Sequence, residues 1–229
     1  MDTHLEQLLK AVIEEYVATA EPVGSQHLVE RYRLDVSPAT IRNWFADLEE
    51  AGYLEQPHTS GGRVPTEKGF RYYINTFVRN KPANKRERET LEKAASFDTL
   101  RTGDKGARLK NVARALAGLS GQAAFVELNE ADTFYTGLSQ LFSQPEFENR
   151  QNVVALTEAL EGLDETLRHL QRRSFSEPQA LVGGENPFGS GYGAVVVSFE
   201  DGLIGLIGPL RLDYQSCLSL IFTTLDLLT

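Results

Sequence analysis

The tightest constraint on this chain lies between Ser37 and Gly52. Ser37 followed by Pro38 reads as a helix start. The hydroxyl can cap first-turn amides, and proline is tolerated at the first helical position, where its missing N–H costs nothing. Ile41, Phe45 and Leu48 recur at helical spacing, with Trp44 at the edge of that face, and Gly52 ends the run. A helix this short is marginal alone and needs neighbours to pack it. Upstream, Leu5, Leu8, Leu9, Val12, Ile13, Tyr16 and Val17 mark a first amphipathic helix. Pro22 and Gly24 break it within "EPVGS", and Ser25 is placed to cap a second helix, "QHLVERY". Downstream, "YLEQP" and "GRVPT" read as short strands around the loop "HTSGG", and Thr66 caps a fourth helix, "EKGFRYYINTFV". Three helices followed by a two-stranded hairpin make a winged helix-turn-helix.

With Ile41, Phe45 and Leu48 turned inward, Ala39, Arg42, Asn43 and Ala46 face outward, and Ser37 and Thr40 sit in the first turn. A recognition helix contacts bases chiefly from its N-terminal residues in the major groove. Arg42 can offer a guanine a bidentate fork and Asn43 can do the same for adenine, while Ser37 and Thr40 suit phosphates or thymine methyls. In the wing, Thr59, Ser60, Gly61 and Gly62 are small enough for backbone to approach a sugar-phosphate strand. His58 and Arg63 can reach phosphates or the minor groove. Lys68 and Arg71 on the next helix are further phosphate candidates.

A net charge of −9, spread evenly, would oppose this reading, but it is unevenly distributed. Residues 1–56 hold 4 Lys/Arg against 11 Asp/Glu, residues 57–88 hold 8 against 2, and residues 89–229 hold 11 against 19. Local charge sets the field a phosphate meets, because screening limits reach to roughly 8–10 Å. The basic window starting at the wing therefore tips the reading towards nucleic acid.

Beyond residue 80, "NKPANKRERETLEKAA" and "SFDTLRTGDKG" read as a charged linker over 81–107 with a helical part. Residues 108–229 read as an α+β domain. "ARLKNVARALAGLSG" is a helix, "AAFVEL" a strand, and "NVVALTEALEGLDETLRHLQRR" one long amphipathic helix. "QALVGG", "YGAVVVSFE" and "LIGLIG" are strands, the last two joined as a hairpin at Asp201-Gly202, and Asp213–Leu228 is a strongly apolar closing helix. The glycines of "GLIGLIGPLR" lack the lysine and hydroxyl residue of a phosphate loop and read instead as a strand needing close backbone approach.

Enzyme signals are thin. His4, His27, His58 and His169 have no metal-ligand spacing, and there is no nucleophile elbow or paired-carboxylate motif, so no catalytic, metal or cofactor-binding residue is expected. The one cysteine, Cys217, excludes a disulfide framework and reads as a core residue. No apolar run approaches the ~18 residues of a membrane span, and the acidic, amphipathic start is unlike a signal peptide. A cytoplasmic protein is expected.

The motifs "EPVGS" and "VSPATIRNWFADLEEAGYLEQPHTSGGRVPTEKGFRYYI", then "YTGLSQLFSQPEFENRQNVVALTEALE", "LVGGENPF" and "GLIGPLRLDYQSCLSLI", resemble the heat-inducible transcription repressor HrcA family. The likeness covers roughly residues 1–80 and 134–229. It implies a winged helix-turn-helix over 1–80 followed by a reduced GAF-like α+β domain over 108–229. It also implies a homodimer on an inverted-repeat operator in double-stranded DNA, repression of chaperone genes, and chaperonin as a partner that sustains activity. Trp44-Phe45 stand where family members more often carry glutamate and methionine. The span from "LSGQAAFVELNEADTF" to "YTGLSQLF" omits much of the GAF-like domain and a dimerising insert. The closing helix, with Leu218, Leu220, Ile221, Phe222, Leu225, Leu227 and Leu228, has more apolar residues than one stripe uses, so it is expected to contribute to a dimer. The compact second domain is expected to fold without chaperonin. The alternative is a ligand-responsive winged-helix regulator whose α+β domain binds a metabolite; such a domain should carry a sizeable pocket with convergent polar groups.

Overall fold

The structure, a computed structural model, describes residues 1–57, 61–96, 104–129, 132–162, 165–167, 170, 173–200 and 202–228. It divides into two compact units, Met1–Val78 and Arg79–Thr229.

The first unit is a winged helix-turn-helix: α1 (Thr3–Thr19), α2 (Ser25–Tyr32), α3 (Pro38–Glu50), β1 (Leu54–Glu55), β2 (Val64–Pro65) and α4 (Glu67–Phe77). Leu8, Leu9, Val12 and Ile13 of α1 meet Leu28, Ile41, Phe45, Leu48 and Phe70, all buried. Ser37 and Thr66 cap as expected, accepting from the amides of Thr40 and Gly69. The cap of α2 is different. Gly24 holds the cap position with no side-chain bond, and Ser25 is the first helical residue. The wing is tied back to the turn after α1, where Val23 and Arg63 exchange backbone hydrogen bonds of 2.8 and 3.0 Å.

The second unit is a GAF-like α+β domain. Its sheet is antiparallel, in the order β4-β3-β7-β6-β5, with β3 Ala123–Asn129, β4 Asp132–Thr136, β5 Gln179–Val182, β6 Tyr192–Phe199 and β7 Gly202–Pro209. Strand alternation gives the sheet two buried faces. Phe125, Ala194, Val196, Leu203 and Ile207 pack with Leu141, Phe147, Leu156, Phe175 and Phe188. Those partners come from α7 (Leu138–Phe142), a 3-10 turn at Pro145–Glu148, α8 (Arg150–Glu161) and the loops that follow. The other face is covered by α6 (Lys105–Ser120) and the closing helix α9 (Tyr214–Leu228). A Cβ on Gly205 would lie 2.5 Å from the Phe125 ring and 2.7 Å from the Val195 carbonyl, so the strand does need close approach there. Phe199 pairs with Gly202, the register of the expected hairpin; Asp201 lies outside the described residues.

Three expectations need correction. The charged segment 81–107 contains α5 (Lys85–Ser96), which belongs to the second unit and packs on α6 and α9 through buried Leu91 and Ala95. Its charges project outward while a two-residue stripe holds it down. The helix expected to run through residue 173 is interrupted: α8 ends at Glu161, Gly162 is a turn, and residues 165–167 and 170 are helical again. The apolar surplus of α9 is largely taken up inside the unit: Leu218, Leu220, Ile221 and Leu228 are buried because α5 and α6 cover the side that the sheet does not, while Leu225 and Leu227 are half-buried. Phe222 is the exposed large apolar residue of that helix. Cys217 is buried, as a core residue should be. Among the described residues no helix is long and apolar enough to cross a membrane.

Candidate nucleic-acid interface

The face of α3 assembles much as its spacing predicts. Ser37 Oγ accepts from the Thr40 amide at 3.1 Å and lies 3.0 Å from Thr40 Oγ1, fixing the first turn. Ser37, Ala39, Arg42 and Asn43 are exposed and Thr40 is half-buried. Arg42 donates to Ser25 Oγ at 3.3 Å, and the Asn43 carboxamide has no polar partner among the described residues. Asp47 and Glu50 occupy the same face one to two turns on. These carboxylates would repel phosphate, so the usable part of the helix is its N-terminal half.

The sequence reading missed two residues at the ends of α2. Ser25 brings the amino end of α2, which lacks a side-chain cap, beside Arg42. Uncapped first-turn amides carry partial positive charge suited to a phosphate. Arg33 ends α2 in the left-handed conformation (φ 50°), exposed and without a polar partner among the described residues. Both could have been found by asking which residues a helix-turn-helix places next to the recognition helix.

The wing differs more. His58, Thr59 and Ser60 lie outside the described residues. Gly61 is exposed, but Gly62 is buried, and a Cβ there would lie 2.7 Å from the Pro22 carbonyl carbon. Its smallness thus serves the contact with the turn after α1, and it is not open to a sugar-phosphate strand. The Arg63 side chain is only 15% exposed and its Nε lies 2.8 Å from Glu49 Oε2, an ion pair without the alignment of a hydrogen bond. Arg63 Nη1 donates to the carbonyls of Gly61 and Gly62 at 3.3 Å, and the guanidinium lies 5.7 Å from the Phe45 ring centroid. Arg63 is a brace between wing and α3. Lys68 donates to the Ala51 carbonyl at 2.7 Å, satisfying the carboxyl end of α3, and Arg71 pairs with Glu67 at 2.7 Å.

The basic window dissolves in the same way. Of its eight cationic residues, Arg63, Lys68 and Arg71 are engaged in the first unit, while Arg79, Lys81, Lys85, Arg86 and Arg88 belong to the second. Met1–Val78 holds 7 Lys/Arg against 12 Asp/Glu, a formal charge of −5. Attraction to phosphate must therefore come from a few placed groups rather than from a basic wing.

The family model described as "HrcA protein C terminal domain" matches residues 68–218. The heat-inducible transcription repressor HrcA of Symbiobacterium thermophilum is 50% identical over 105 residues, 44% of this chain and 31% of that protein. The protein of the same name from Desulforamulus reducens is 41% identical over 128 residues, 56% of this chain and 36% of that protein. The chain thus spans about a third of the length of these relatives. A crystal structure described only as that of a hypothetical protein superposes with a TM-score of 0.74 at 17% identity, covering 100% of this chain and 97% of that one, a likeness of fold. With more than half of its residues under the HrcA model, and with a winged helix-turn-helix and a GAF-like unit in the order the resemblance implies, the chain belongs to the HrcA family.

Proposed function

We propose that the chain is a sequence-specific DNA-binding repressor of heat-shock genes, a cytoplasmic binding protein and not an enzyme. Its first unit sets the amino-terminal half of α3 in the major groove. One observation carries this: Arg42 and Asn43 stand exposed on a capped helix beside the uncapped amino end of α2. Arg42 and Asn43 read base edges; Ser37, Thr40, Ser25 and Arg33 hold the flanking phosphates. Ala39 lets the helix approach the groove floor, and the wing follows the strand with His58, Thr59, Ser60 and Gly61. The relatives' names supply the heat-inducible repression. From the resemblance come a homodimer on an inverted repeat and control through chaperonin. Neither a cofactor nor a membrane has a part in it.

The test is selection of duplexes from a random pool by the purified chain, followed by sequencing and by light scattering of the complex. A two-fold symmetric consensus bound by two copies is expected. Recovery of unenriched sequence would refute the reading.

A second reading, a ligand-responsive winged-helix regulator, draws support from a cavity of about 390 Å³ in the second unit. Phe147, Phe188 and Tyr192 form its walls, with Asn152, Ser190 and Glu146 at its polar positions. Arg211 braces Glu146, donating from Nη2 to Oε2 at 3.0 Å. Affinity for the selected duplex, measured with and without a pooled metabolite extract, separates the two readings. A shift favours the second.

A further inference from the structure

The first unit contains a cavity of about 440 Å³ that the DNA-reading face does not use. Leu8 and Ala11 of α1, Leu34 and Val36 of the turn before α3, and the rings of Tyr32 and Trp44 line it. Such a volume falls within the range of small-molecule sites. Its walls are apolar and aromatic, and its polar lining is two carboxylates, Asp35 and Glu14, with Lys10, His4 and Gln7. Asp35 is exposed and has no polar partner among the described residues. Glu14 faces it from α1, paired to Lys10 at 3.8 Å, the length of a weak surface pair. The Lys10 ammonium lies 5.6 Å from the Phe77 ring centroid, and the His4 ring lies 4.7 Å from that of Trp44. The Tyr32 hydroxyl is held above its ordinary range, first by burial, then by the charges of Glu15 and Glu14. Glu15 and Glu14 outweigh Arg31, whose charge acts the other way, so the balance beside this ring is negative, in a unit whose formal charge is −5.

Two aromatic rings beside an unpaired carboxylate make an environment that favours a cation with an apolar body. The ring faces attract the charge, and the carboxylate gives it a partner. An anion would meet Asp35 and Glu14, with the one lysine of the lining, Lys10, already paired to Glu14, and a neutral body would use only the apolar wall. We propose that this cavity binds a small organic cation, its ammonium beside Asp35 and Glu14 and its body against Trp44 and Tyr32. The site is independent of whether the chain reads DNA.

Trp44 is the only tryptophan in the chain, so its emission reports on the wall of the cavity directly. The experiment titrates the full chain with 4-phenylbutylamine, 4-phenylbutan-1-ol and 4-phenylbutyrate, probes that share one body. Binding is followed by Trp44 fluorescence and by calorimetry. The amine should bind saturably and roughly three- to thirtyfold more tightly than the alcohol, the combined scale of one cation–π contact and one screened ion pair. The carboxylate should bind weakest. Asp35→Asn should weaken the amine roughly two- to fivefold, the scale of one exposed ion pair, and leave the alcohol unchanged. Equal binding of all three probes, no saturable response by either method, or an Asp35→Asn protein that binds the amine like the parent would each overturn the proposal.

Discussion

Arg63 of the wing and Glu49 of α3 form an ion pair at 2.8 Å, with the Arg63 side chain only 15% exposed. The charge that looked available for phosphate is therefore engaged within the protein. Arg63→Ala should cost about 1–3 kcal/mol of first-unit stability, because it strands a half-buried carboxylate and frees two carbonyls. The check is a urea titration followed by Trp44 emission. An unchanged midpoint would return Arg63 to the list of phosphate contacts.

Arg42→Ala and Asn43→Ala act on the exposed face and should leave stability within about 0.5 kcal/mol. Each should reduce preference for the selected duplex over a scrambled one by about 1–3 kcal/mol, the worth of a bidentate base contact. Competition binding measures it. Wild-type discrimination in both variants would move base reading to another element.

Leu91 is fully buried under a helix whose other residues are mostly charged. Leu91→Ala should destabilise the second unit by about 2–5 kcal/mol, as large-to-small core changes do. A free linker would tolerate the change with no shift in the thermal transition, so calorimetry decides.

Gly205→Ala places a methyl against the Phe125 ring and the Val195 carbonyl. Overpacking of this kind costs about 1–3 kcal/mol, and more where backbone is the obstacle. The companion change Phe125→Leu in the same protein should recover part of the loss. Additive losses would place the strain elsewhere.

Cys217 is buried, and burial pushes its thiol well above the ordinary range, with Asp213 adding to the rise. Since the thiolate is the reactive form, the folded protein should be inert to a disulfide reagent at pH 8, where a free cysteine reacts. The thiol should titrate fully in urea. Prompt labelling of the native chain would show that α9 opens readily.

Local chemistry was the legible part of the sequence. Ser37, Pro38 and Thr66 announce their helices because a cap depends only on residues three apart, and the inward Ile41, Phe45 and Leu48 fix the outward Arg42 and Asn43. What escaped depended on tertiary partners. The strand Asp132–Thr136 has no apolar run. It is an edge strand whose Phe134 ring is covered by the Lys110 and Arg114 side chains from α6. Charge density concealed α5, since Leu91 and Ala95 suffice to seat it. A window sum of charge could not reveal that Arg63, Lys68 and Arg71 already had partners, nor that the remaining cations belong to another unit.

The fastening of the segment after α4 has a mechanical consequence. α4 ends at Phe77, and the Arg79 N–H and C=O are both held by the Gln215 side chain, at 3.1 and 2.9 Å. The Ala83 N–H follows, bonded to Thr223 Oγ1 at 2.8 Å. A free coil over 81–107 would have supplied slack, with a root-mean-square reach of roughly 5–6 Å times the square root of its residue count. Tied down at Arg79 and Ala83, the segment is part of the second unit's own structure, so limited proteolysis of the folded chain should spare residues 79–96, where a spacer would be cut first.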